Sequence, residues 1–169
     1  MNKYLEDLIK LSKYDTSISQ FEPKIENQKA KLATFVETAE AIRVGINATY
    51  LEIDDLKSKR TKNNIHLSEL KSKLDSIAKK NKDVTNEKEL KALQLEEEIA
   101  KEQVSFANEE IERLDKLTAA KEEKLKELQE KLKTEEEDIK EIKVVVEESI
   151  AEINNERNEV YAKRSELLS

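Results

Sequence analysis

Apolar residues return every seven positions along most of this chain, which is the spacing of a coiled-coil helix. In the first half, one line of such positions covers residues 4–74 and a companion line covers residues 14–77. In the second half, a regular line covers residues 90–167 and a weaker one covers residues 93–163. We call each pair of lines a seam. The pattern predicts two long helices, each with one apolar seam that has to be covered.

The heptad pattern lapses between Ile77 and Leu90, where small polar residues replace the apolar ones. We therefore expect an all-α fold, a long antiparallel two-helix coiled-coil hairpin, with a first arm at 1–82, a turn at 83–88 and a second arm at 89–169. Asn86 is placed to cap the second helix, with Glu89 three residues later as in a capping box. The alternative is one continuous helix that dimerises with a second chain.

The register of the hairpin follows from where the turn is centred. A centre between Asp83 and Val84 makes the numbers of facing residues sum to 167, which places Arg60 opposite the small Ala107. Sums of 160 or 174 also match the two seams. They would move the turn out of the polar gap, so we expect 167.

Pro23 is the only proline and lies inside the first arm, between Phe21 and Ile25. Proline removes one helical hydrogen bond, so we expect a kink near residues 19–25. The expected register places Pro23 opposite residue 144, in a run of three valines that are weak helix formers. The predicted hinge therefore consists of Pro23, Val144, Val145 and Val146. The alternative is that Pro23 ends a short first helix.

Composition narrows the function classes. One glycine, one proline, 4% aromatic and 41% charged residues are unlike a compact globular domain. The sequence has no cysteine and a single histidine, His66, and a two-helix structure offers no cleft that desolvates a pair of carboxylates. We expect no enzyme activity, metal site or cofactor in this chain. No apolar run reaches membrane-spanning length and the N-terminus is unlike a signal peptide, so a cytoplasmic location is expected.

Charge is unevenly distributed along the chain. Residues 57–82 contain nine Lys or Arg against Glu69 and Asp75. A basic segment is typical of nucleic-acid binding, but no aromatic residue alternates with these lysines. We expect the glutamates of residues 84–110 to neutralise most of the segment across the seam, and RNA binding is only weakly supported.

Six apolar residues fall on outer heptad positions, away from the seams. We predict that they form a docking strip for a partner helix or for a second copy of the chain. Scattered apolar surface residues are also ordinary in soluble proteins. The six are Val44, Leu51, Ile65, Leu95, Ile99 and Phe106.

Two segments carry a resemblance to a known family. "NEKELKALQLEEEIAKEQVSFANEEIERL", residues 86–114, and "LIKLSKYDTSISQFEPKI", residues 8–25, closely resemble bacterial zinc-ribbon coiled-coil proteins. Well-known members serve flagellar regulation in epsilon-group proteobacteria. The shared turn and the Glu22–Pro23 step weigh more than heptad identity, because coiled coils match one another easily.

The resemblance implies a kinked helical hairpin followed by a four-cysteine zinc ribbon. It also implies an adaptor or chaperone for an RpoN-type sigma factor in flagellar gene regulation and biogenesis, with binding of flagellin message reported for the family. Without cysteine, zinc is expected only in a ribbon outside this sequence; either the sequence is a piece cut before the ribbon or the protein is a member lacking one. The alternatives are a structural spacer or oligomerising stalk without a specific client, a flagellar export component as the partner, and an RNA-binding regulator of flagellin message.

Overall fold

The computed structural model describes residues 2–169 and consists of two long helices. Helix α1 is Lys3–Asp83, with 81 residues, and helix α2 is Glu87–Leu168, with 82 residues. The link between them is residues 84–86, which is shorter than the expected turn at 83–88. The all-α helical hairpin predicted from the heptad pattern is confirmed.

Both helices begin at an asparagine cap. The side-chain oxygen of Asn2 accepts a hydrogen bond from the backbone N–H of Tyr4 at 3.0 Å, and that of Asn86 accepts one from Lys88 at 2.9 Å. These bonds satisfy amide groups that have no partner within the first helical turn. The hydrogen bonds within residues 2–169 include none from Glu89 back to Asn86, so only half of the expected capping box forms.

The buried residues lie on the predicted seams without exception among the described residues. Each is reached by counting in sevens from Tyr4, Tyr14, Leu90 or Leu93, although Tyr4 and Leu90 are themselves exposed. The largest side chains with no exposed surface are Leu114 and Thr49. The full set is Phe21, Ile25, Ala39, Ile46, Thr49, Ile53, Leu70, Ile77, Ala100, Ala107, Leu114 and Val146.

The chain divides into two compact units, each built from a segment of α1 and a segment of α2. The turn unit is Gly45–Gln129. The terminal unit combines the residues up to Val44 with Glu130–Ser169. Each has its own antiparallel helix pair and its own seam.

In the turn unit, polar contacts between the helices define a register different from the expected one. Arg60 Nε pairs with Asp115 Oδ1 at 2.5 Å, and Lys57 Nζ lies 3.9 Å from Glu122 Oε1. The expectation that Arg60 faces Ala107 is therefore wrong by about one heptad. The contacts fit the register in which facing numbers sum to 174.

The terminal unit has the same register. Arg43 bonds to Glu136 at 3.1 Å, and Arg164 bonds to Asp15 at 2.7 Å. The shift has a physical cause in the linker. Val84, in the link, is half-buried and shares a cleft with Leu93. The seam therefore continues as far as Val84, and the polar residues before Val84 belong to the last turn of α1.

The predicted hinge pairs the wrong segments. Helix α1 continues through Pro23 without ending, which rules out a short first helix. Glu22 Oε2 lies 3.7 Å from Arg157 Nη1, and Lys24 lines a cleft with Ile153. The register of 174 therefore places Pro23 opposite Ala151 and not opposite Val144, Val145 and Val146, where α2 is also continuous. A bend at Pro23 stays a prediction.

Candidate protein-interaction surfaces

Three exposed apolar side chains of α2 form one surface, which we call the α2 strip: Leu95, Ile99 and Phe106. Their exposed fractions are 59%, 46% and 60%. The spacings of four and seven residues keep the three side chains on the same helix face. Because the neighbouring Ala100 and Ala107 are buried in the seam, the strip looks away from it. Side chains of this size exposed together are typical of an interaction site.

The outer apolar residues of α1 form a separate line. Leu51 and Ile65 are both exposed and lie fourteen residues apart on one heptad position, with Ser58 between them. Val44 is also exposed but belongs to the terminal unit. The α1 line is thinner than the α2 strip, since a serine interrupts its apolar surface.

The six predicted docking residues do not form a single strip. In the turn unit the seams of α1 and α2 face each other, so residues opposite each seam point to opposite sides of the pair. Leu51 and Ile65 therefore lie on one outer side, and the α2 strip lies on the other. A partner helix can cover the α2 strip without touching the α1 line.

Glutamates border the α2 strip on both edges. Glu96 follows Leu95 and lies on the edge nearer α1, and Glu98 lies on the opposite edge. Glu102 and Glu109 lie along the strip, on the same heptad position as Leu95. All four are exposed, and within residues 2–169 none has a basic nitrogen within 4.0 Å. Their charges are therefore available to a partner.

Other acidic residues nearby are already paired. Glu97 bonds to Lys101 at 2.8 Å, and Glu110 bonds to Arg113 at 2.5 Å. The Arg113 guanidinium holds the pKa of Glu110 below its ordinary value, mainly through this hydrogen bond. Lys101 and Arg113 are thus engaged, and the four glutamates of the strip keep their charge uncompensated by them.

A shallow cleft adjoins one end of the α2 strip. Phe106 forms one wall with Gln103 and Arg113 of α2, while Asn63 and His66 come from α1. Sequence reasoning set His66 aside because it has no second histidine or cysteine. Its place beside Phe106 follows only from the register, since heptad position alone does not say which residues of the two arms are level.

The basic segment of α1 is not neutralised as expected. Arg60 and Lys57 pair across the seam with Asp115 and Glu122, beyond the glutamates of residues 84–110, and Lys59 pairs within α1 with Asp55. The remaining six lysines are exposed and have no carboxylate oxygen within 4.0 Å in the described chain. They are Lys62, Lys71, Lys73, Lys79, Lys80 and Lys82.

The residues present do not fit the zinc that the resemblance implies. A four-cysteine site needs thiolate ligands, and the sequence has no cysteine. Within residues 2–169, no three His, Asp or Glu side chains are grouped so as to hold a metal ion. Neither helix, over the described residues, contains an apolar stretch long enough to cross a bilayer.

No protein-family model and no curated protein matches the chain. A solved structure does: the HP0958 protein from Helicobacter pylori CCUG 17874, with 31% sequence identity and a TM-score of 0.80. The match covers 99% of this chain and 70% of the other. This chain belongs to the same family as HP0958. The likeness to HP0958 extends over both helices, so the helical hairpin is a shared feature of the two proteins.

Proposed function

We propose that this chain is a non-enzymatic adaptor or chaperone that holds an RpoN-type sigma factor in flagellar gene regulation and biogenesis. The observation that carries the proposal is the α2 strip, because Leu95, Ile99 and Phe106 expose large apolar surface that the hairpin itself does not use. Such a client places the protein in the cytoplasm. A flagellar export component is the other candidate client.

Two further points support this function. The segments 86–114 and 8–25 resemble flagellar regulators, and the match to HP0958 extends over 99% of this chain. The α2 strip also lies inside segment 86–114, where the resemblance is strongest. The part of the chain that resembles these regulators most therefore contains the α2 strip.

A pull-down with purified RpoN-type sigma factor tests the proposal. The variant L95S/I99S/F106S removes the α2 strip, and L51S/I65S is the matched control on the other side of the turn unit. We expect the first variant to lose capture and the control to keep it, with unchanged helicity by circular dichroism in both. Capture that survives loss of the α2 strip would refute the assigned surface.

RNA binding is a second candidate, and the unpaired lysines favour it. Six exposed ammonium groups without carboxylate partners are available for phosphates. A gel shift with flagellin message tests this candidate, using K71A/K73A/K79A/K80A as the variant and the sigma-factor variant L95S/I99S/F106S as the control. Loss of the shift only in the lysine variant supports RNA binding. A chain that captures neither the sigma factor nor the message is a structural spacer or oligomerising stalk.

A further inference from the structure

The α2 strip combines two properties that together specify the chemistry of its partner. Its centre is apolar, and the glutamates at its borders, Glu96, Glu98, Glu102 and Glu109, have no ion pair within the described chain. An apolar partner surface alone would leave these carboxylates beside it without compensation. The partner surface that fits has cations on both sides of an apolar centre.

We propose that the α2 strip binds a basic amphipathic helix: a segment with apolar residues at helical spacing and Lys or Arg on both flanks. The inference rests on the proposed adaptor function and names the kind of segment in the client that is recognised. It assigns the apolar contact to Leu95, Ile99 and Phe106, and the charge selectivity to the glutamates at the borders.

The dimensions of the strip suit a short helix. The distance along α2 from Leu95 to Phe106 is eleven residues, or about 16 Å at the helical rise. A partner helix of about three turns covers this length with apolar residues at i, i+4, i+7 and i+11. The cleft between Phe106 and His66 adds a recess at one end for a bulky side chain of the partner.

Other occupants fit the charges less well. Phosphate-rich partners, such as nucleic acid or an anionic membrane surface, would be repelled by the glutamate borders. A second copy that docks through the same strip would place glutamates opposite glutamates. A second copy that docks through its α1 line would bring Asp54, beside Leu51, against the same borders.

Two fluorescent peptides test the proposal by anisotropy with the complete chain. Both are 18-residue amphipathic helices with the same leucine face, and one has lysine flanks where the other has glutamate flanks. We expect the lysine peptide to bind at least about tenfold more tightly, with a preference that shrinks as salt increases. Equal affinities, or preference for the glutamate peptide, would overturn the proposal.

Two variants separate specific docking from general attraction to a chain of net charge −7. L95S/I99S/F106S keeps every charge and should lose the lysine peptide. E98Q/E102Q/E109Q keeps the apolar strip and should lose the discrimination between the peptides. If the lysine peptide still binds the first variant, its binding is non-specific and the proposal fails. Self-association of the labelled chain that the lysine peptide does not displace would instead assign the strip to a second copy.

The same variants distinguish failure of this inference from failure of the adaptor function. If the sigma factor is captured equally by the wild type and by E98Q/E102Q/E109Q, the adaptor function stands and the basic-helix inference falls. If the peptides discriminate as expected but no sigma factor is captured, the strip recognises a basic helix and the client has been named wrongly.

Discussion

At the scale of single residues, Gly45 stands in the interior of α1 where no turn or close approach requires glycine. An added Cβ would lie 3.7 Å from Leu128 Cδ1, an ordinary van der Waals distance. We predict that Gly45→Ala raises the free energy of unfolding by about 0.5–1 kcal/mol, because glycine is a poor helix former. Urea denaturation measures this. Ala48→Gly, at an exposed site on the same turn of α1, is the control and should lower the free energy of unfolding by a similar amount.

Leu114 tests the difference between seam and outer positions. It has no exposed surface, whereas Leu95 is largely exposed on the same helix. We predict that Leu114→Ala lowers the free energy of unfolding by about 2–5 kcal/mol through lost apolar contacts and a residual cavity. Leu95→Ala should change it by about 0.5 kcal/mol or less. Similar losses at both sites would mean that the α2 strip is part of the folded core.

Glu52 makes part of the stability dependent on pH. Its carboxylate accepts a hydrogen bond from Lys121 at 2.5 Å, and this bond holds the pKa of Glu52 below its ordinary value of 4.5. A lowered pKa means that the pair stabilises the fold above that ordinary value, and that this contribution is lost as pH falls through the lower, folded pKa.

We therefore predict that the melting temperatures of wild type and Glu52→Gln differ near neutral pH and converge on acidification. Thermal melts from about pH 7 to about pH 3 measure the convergence. Glu69→Gln serves as control, because Glu69 makes no ion pair in the described chain. A difference between wild type and Glu52→Gln that stays constant over the whole range would contradict the role of this pair.

At the scale of the elements, the heptad pattern predicted the helices and the buried residues but not which residues face each other. A shift of seven residues maps each seam onto itself, so registers summing to 167 and 174 bury the same side chains. Val84 decides between these two registers. A single valine in a polar gap carries little signal, and only its burial beside Leu93 shows that the seam continues to the turn.

The same seven-residue ambiguity explains what was missed at the candidate surface. The outer apolar residues were identified from heptad positions alone. Two features depend instead on the register: Phe106 lies beside His66, and the lysines of α1 face too few carboxylates. Side-chain ion pairs across the seam were therefore predicted in the wrong places although the helical hairpin itself was predicted.

The register can be measured with paired nitroxide labels, which need no removal of native cysteines. One pair is placed at 57 and 122, and the other at 57 and 108. Since one heptad is about 10 Å along a helix, the two registers predict opposite orders of the two distances. We expect the 57/122 pair to be closer, also after dilution with unlabelled chain. A closer 57/108 pair would support the register in which facing numbers sum to 167. Loss of the spin–spin coupling on dilution with unlabelled chain would indicate that the helices pair between two chains.

At the scale of the whole molecule, the chain presents different chemistry on different surfaces of its turn unit. The α2 strip is apolar with acidic borders, whereas α1 contributes unpaired lysines and the thinner α1 line. The net charge of −7 conceals this separation. A protein with two such surfaces has the means to bind a basic segment on one and an anionic partner on another.

The central claim is that the α2 strip, and not the outer side of α1, contacts the client. Photo-crosslinking tests it most directly, with a benzophenone amino acid at position 99 in one variant and at position 65 in another. Each is irradiated with purified RpoN-type sigma factor. The account predicts a crosslinked product from position 99 and none from position 65. A product from position 65, or none from position 99, would contradict it.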